Sequence, residues 1–238
     1  MTRVAPVIPG PNDILCESCG YVLNGLPEDG RCPECGSAIA ESSASLRRPA
    51  AWEVRPSTGS FVATSADVIF RPTAFFRALS VRDDVHASRR FAWLHWTLVS
   101  ALFATAAILH FQIISQTSYP WLGLIAFWSI AFVGVFYGLE WITRLAAKLT
   151  AWEAAYRGYR LPYFPVRRGL YFHSAHYLPV AFLAFVTVFV SRFALIQYPM
   201  HFTYERYAYL LCAEVILAAG YLFKTYWIGM RNMMYANR

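Results

Sequence analysis

Four of the five cysteines in this 238-residue chain fall in the pattern Cys16-x2-Cys19-x12-Cys32-x2-Cys35. A two-residue gap lets both thiolates of a pair reach one ion at bonds of about 2.3 Å, and two facing pairs supply the tetrahedral sulfur shell that zinc prefers. Four protein sulfurs leave no place for water or substrate, so the expected role is one structural Zn2+. Gly20 and Gly36 follow the pairs, where a positive φ turns backbone N–H groups toward sulfur. Pro33 stiffens the second pair, and Gly25-Leu26-Pro27-Glu28-Asp29-Gly30 reads as a turn between short strands. A segment this short buries too little apolar surface to fold alone, so the metal supplies most of its folding free energy. The reading is a small β-type four-cysteine zinc ribbon over 14–40, after a flexible N-terminus at 1–13.

Two disulfides, or a rubredoxin-like iron site, are the alternatives for the same cysteines; disulfides would require an oxidising compartment. Nucleic acid is not an expected partner. Arg31 is the ribbon's only basic residue, against Glu17, Glu28, Asp29 and Glu34, so phosphate finds little to hold.

A second group of chemically capable residues lies inside long apolar runs: His110, Arg192 and Glu214. At 1.5 Å per residue, Arg192 and Glu214 come within about 5 Å in depth, which predicts an ion pair locking two helices. A small transporter or channel using Arg192, Glu214 and His110 is the alternative, since ionisable groups at membrane depth are functional candidates by default. A third group, His95, Glu140, His173 and His176, lies near the other ends of these runs, with His173 and His176 spaced i, i+3. Together they could hold a metal, which makes a membrane-embedded metalloenzyme a further alternative. No HExxH spacing, phosphate loop or nucleophile arrangement accompanies them, and the chain is read as non-enzymatic.

The elements that must position these groups follow from composition. Hydrophobic residues make up 57% and charged residues 15%, against roughly 25% charged in a soluble domain. The polar, Cys-rich and Pro-rich sequence lies almost entirely before residue 60, and the long apolar runs begin after residue 90. Runs of about 20 apolar residues span the hydrocarbon layer, and four qualify: 91–115, 121–141, 175–197 and 206–228. Short turns at 116–120 and 198–205 make two helical hairpins. The fold class expected is therefore mainly α, a four-helix transmembrane bundle preceded by the ribbon. Gly134-x3-Gly138 reads as a close-packing site between helices, and Cys212 as an inert buried thiol.

The net charge of +7 follows membrane topology. Fourteen Lys and Arg flank the spans on one side, among them Arg71, Arg77, Arg89, Arg144, Lys148, Arg167 and Lys224, while the short turns hold only Arg206. By the positive-inside rule both termini and the middle loop, 142–174, are expected in the cytoplasm, and the ribbon stays reduced there. The N-terminus lacks the apolar stretch of a signal peptide, so export of the ribbon is not expected. Trp93, Trp96, Trp121, Trp141, Tyr177, Tyr207, Tyr226 and Trp227 cluster at the proposed interfaces as an aromatic belt. Residues 41–60, rich in Ser, Ala, Pro and Arg, read as a flexible linker. Residues 61–90 read as a juxtamembrane helix, either lying in the headgroup plane with Phe75, Phe76 and Leu79 in the bilayer or packed on the end of the bundle. The second span could extend through Leu145 until Gly158 and Pro162 stop it.

The stretch from Asp67 to Leu79, DVIFRPTAFFRAL, resembles the entrance of Yip-family membrane proteins, with Pro72, then Phe75-Phe76, then Arg77. The ribbon CESCGYVLNGLPEDGRCPECG is similar to N-terminal ribbons of bacterial multi-pass membrane proteins. The Yip resemblance implies a multi-helix protein that acts through membrane or protein association, as in trafficking, without catalytic residues. That family typically shows five spans; four are found here. The partners expected are the lipid bilayer and a cytosolic or membrane protein.

Overall fold

In lipid, an apolar run must satisfy its backbone N–H and C=O groups within itself, and the α-helix does so. The computed structural model describes residues 10, 13–115, 120–198 and 200–237, and among them it contains helices and no strand. The helices are α1 (Ala51–Val54), α2 (Thr58–Phe70), α3 (Pro72–Ala78), α4 (His86–Ser115), α5 (Trp121–Tyr156), α6 (Tyr163–His173), α7 (Tyr177–Gln197) and α8 (Tyr204–Met233). A 3-10 turn, Ser174–His176, joins α6 to α7. Four stretches among the described residues are long and apolar enough to cross a membrane: α4, α5, the run Tyr163–Gln197, and α8. No residue in the most apolar part of α5 is buried inside the protein. That is the behaviour of a surface whose solvent is hydrocarbon, because lipid tails reward apolar exposure as well as a core would.

Helix α4 packs along both α5 and α7, and α7 packs on α8, so the two hairpins meet through α4 and α7. The turn expected at 116–120 lies, apart from Pro120, outside the described residues. Helix α5 runs fifteen residues past the expected span and ends in a glycine cap. Gly158 has φ 73°, its N–H donates to the Ala155 carbonyl and the Tyr159 N–H to the Ala154 carbonyl, the paired bonds of a Schellman motif. The middle loop of 142–174 is thus mostly helix.

The main core lies at the ribbon end of the bundle, where Trp52, Val68, Phe76, Leu79, Phe91, Phe172, Met230 and Met233 pack together. Of the two readings of residues 61–90, packing on the end of the bundle is the one that fits Phe76 and Leu79. Pro72 at the first position of α3 breaks the helix after Phe70, and the bend turns Phe76 and Leu79 into the protein, where they are 0% and 2% exposed. The Phe76 ring lies 3.3 Å from where a side chain at Gly229 of α8 would begin; this is the packed alternative. Residues 41–60 are not a flexible linker. Trp52 is buried and its indole N–H donates to the Ala87 carbonyl at 2.7 Å, while Arg48 pairs with Leu79 in a β-bridge. The polar composition hid a segment whose side chains reach partners far along the chain.

Gly134 and Gly138 have open space where a side chain would stand, so no described helix of this chain packs there. Cys212 is exposed on the outer surface of α8 rather than buried. Of the expected aromatic belt, Trp93, Trp121, Trp141 and Trp227 face outward, whereas Trp96 and Tyr207 are core residues.

Candidate metal centre

Residues 14–40 carry isolated antiparallel bridges, Leu15 with Val22 and Arg31 with Ala38, in place of the strands expected. The two cysteine pairs nevertheless share one design. The Cys16 N–H donates to the Tyr21 carbonyl and the Gly20 N–H to the Cys16 carbonyl; the Cys32 N–H donates to the Ser37 carbonyl and the Gly36 N–H to the Cys32 carbonyl. Each hairpin turns at its glycine, φ 82° at Gly20 and 73° at Gly36, a conformation that costs glycine little.

This geometry brings the four sulfurs within 4.8 Å of one another. Cys16 and Cys35 Sγ are 3.5 Å apart, Cys19 and Cys32 Sγ 3.6 Å. Tetrahedral bonds of about 2.3 Å put sulfurs about 3.8 Å apart, so the donor set fits one tetrahedral ion and is too long for disulfides; the cysteines are free thiols. Burial pushes the Cys19 thiol up to about 12. Hydrogen bonding with the Ser37 side chain and then with its backbone brings exposed Cys35 down to about 6.

Beneath the ribbon lies a seam of buried polar contacts that no spacing in the sequence announced. Glu17, between two ligands, takes both arms of Arg47: Nε to Oε1 at 2.7 Å and Nη2 to Oε2 at 2.8 Å, with the Arg47 and Glu17 side chains 2% and 10% exposed. The same guanidinium donates to the Leu79 carbonyl after α3 and to the Asn232 carbonyl in α8. Asn237 completes the seam. Its amide donates to the Leu15 and Ser42 carbonyls, and its Oδ1 accepts the Leu15 N–H. Arg160 donates to the Gly10 and Asp13 carbonyls, and the Tyr235 ring covers Gly20. A second buried pair ties α1 to α6: Arg168, fully buried, holds Glu53 through two bonds and donates to the Ser80 carbonyl.

The other sequence-predicted residues do not gather into a second metal site among the described residues, although the His173 and His176 rings lie 5.0 Å apart. Arg192 and Glu214 form no ion pair among the described residues; both Glu214 carboxylate oxygens are shielded and lack a hydrogen-bond partner. His110 Nδ1 meets the Tyr207 hydroxyl at 2.5 Å instead. Glu140 is clamped by Arg89 at 3.1 Å and Arg144 at 2.5 Å. His95 donates from Nδ1 to the Phe91 carbonyl, and its Nε2 lies 3.0 Å from the Ser65 hydroxyl. His173 bonds Thr225, and His176 bonds Tyr221. Among the described residues the four cysteines are the one cluster able to hold a metal.

Comparison with protein-family models, with curated proteins and with solved structures found no match to this chain.

Proposed function

We propose that this chain is a non-enzymatic integral membrane protein in which four spans hold a structural zinc ribbon at the cytoplasmic face, where it acts in protein recruitment or membrane organisation. The observation that carries this reading is the closed sulfur tetrahedron fixed to the bundle by Arg47 and Asn237. A shell of four cysteines has no open position for chemistry, and a ribbon held by buried hydrogen bonds is a rigid platform. Zinc is favoured over disulfides by the separations above and by the reducing compartment that the Lys and Arg distribution implies. Apart from these contacts the ribbon exposes Glu28, Asp29 and Glu34, which suits a partner with a basic surface. The Yip-like stretch at 67–79 agrees with association as the mode of action, and its phenylalanines close the seam.

Two measurements test this. Protein purified in detergent should carry one zinc per chain, lost in a Cys16→Ser, Cys19→Ser variant. A triple variant Glu28→Gln, Asp29→Asn, Glu34→Gln keeps the metal and the seam, and should lose partners captured by crosslinking from the ribbon. Identical captures by both proteins would sink the recruitment role.

A second reading rests on Glu214. An unpartnered carboxylate in the outer half of a span is costly and marks ion or substrate paths, and Tyr207, seven residues earlier on the same helix, bonds His110 of α4. Flux in vesicles that falls in Glu214→Gln supports a transporter; absence of flux in the native protein rejects it.

A further inference from the structure

We propose that a cleft between α5 and α6 binds the headgroup of an anionic phospholipid drawn from the leaflet on the ribbon side. The cleft, about 600 Å3, is lined by Trp141, Arg144, Leu145, Lys148, Tyr163 and Arg167: three cations and no carboxylate. The inference rests on the membrane reading above and adds a ligand to it.

Depth is the first support. Trp121 and Trp141 are 67% and 65% exposed and stand twenty residues apart on one helix, about 30 Å at 1.5 Å per residue, the thickness of the hydrocarbon layer. Glu140 is the only charged residue between them. Trp141 therefore marks the interface, and Arg144 and Lys148 follow one and two turns beyond it, at the level of lipid phosphates. All three share a face of α5, since positions three, four and seven apart align on a helix.

Charge is the second. The nearest acid is Glu140, whose carboxylate is shared between Arg89 and Arg144, so the group keeps an excess of positive charge. Arg144 remains 45% exposed beside that bond, and Lys148 is exposed. From α6, Arg167 is held in place: its Nε donates to the Tyr171 hydroxyl at 2.6 Å, and its guanidinium lies over the Tyr163 and Tyr171 rings at 5.8 and 5.2 Å. Guanidinium groups match phosphate oxygens in pairs of hydrogen bonds. Continuity with lipid is the third. From Trp141 toward the membrane centre, α5 exposes Tyr137, Val133 and Ile130, a surface along which acyl chains can lie while the phosphate sits in the cleft. Basic pockets between spans are known to hold such headgroups.

The test uses the full-length protein, delipidated in detergent, then offered equal phosphatidylglycerol and phosphatidylcholine and read by native mass spectrometry. Wild type should retain the anionic lipid by roughly tenfold over the zwitterionic one, and Arg144→Gln, Lys148→Gln, Arg167→Gln should abolish the preference. Lys148→Gln alone alters an exposed side chain, so it keeps the fold, and should cut the preference about threefold. Millimolar inorganic phosphate should leave the lipid bound; displacement by it would assign the cleft to a free anion and overturn the proposal. Equal retention of both lipids by wild type, or an undiminished preference in the variants, would overturn it as well. Membrane extraction of each variant is scored separately, so loss of lipid preference is not confused with loss of membrane insertion.

Discussion

Arg168 and Arg47 are guanidinium groups that the protein hides almost completely, and each is tolerable only because its partners are hidden with it. Removing one member of a buried pair leaves an uncompensated charge and costs roughly 3–5 kcal/mol. Arg168→Met, which leaves Glu53 behind, should therefore lower the unfolding temperature in detergent sharply. Adding Glu53→Leu should restore much of it, because the double change removes both charges. A single variant as stable as wild type would show that the pair is not holding α1 to α6. The carboxylates of Glu140 and Glu214 make an opposite comparison. Glu140→Gln loses two arginine contacts that are partly screened by solvent, worth about 1 kcal/mol, whereas Glu214→Gln has no partner to lose and should leave stability equal or higher.

Gly20 and Gly36 occupy matched turns, yet their surroundings differ. Both have positive φ, so alanine at either adds backbone strain of about 1–3 kcal/mol. At Gly36 a side chain would meet open space; at Gly20 it would collide with the Tyr235 ring. Gly36→Ala should weaken zinc retention alone, while Gly20→Ala should also speed hydrogen exchange in residues 232–237. Equal exchange in both variants would remove Tyr235 from the docking surface. At this scale the sequence was a good guide where structure is local. The x2 spacings dictate the cysteine turns, span length dictates the four membrane helices, and Gly158 dictates the end of α5. It was a poor guide where an element's role depends on a distant partner. Pro72 announced a break between α2 and α3, but not that Phe76 would bury against Gly229.

The whole molecule is packed unevenly, densely at the ribbon end and thinly along the four helices that are long and apolar enough to cross a membrane. What was illegible lies between these halves. Arg47 in a Ser- and Ala-rich stretch and Asn237 near the end of α8 carry no periodicity, and the depth shared by Arg192 and Glu214 did not yield an ion pair among the described residues. Chelating the metal should loosen residues 39–54 and 232–237 in hydrogen exchange while the far-ultraviolet signal of the spans stays nearly unchanged; a global loss of helix would contradict this division. Acid should act in the same direction. The metal binds thiolates and protons compete for them, so zinc should be released as the solution is acidified and retained at neutral pH and above. The clip between Leu15 and Asn237 joins residues 222 positions apart. During translation the ribbon leaves the ribosome before any span has been inserted, and Asn237 emerges after all of them. The clip therefore closes only once all four apolar helices have been made, and a ribbon folded before then holds together on its own hydrogen bonds and metal.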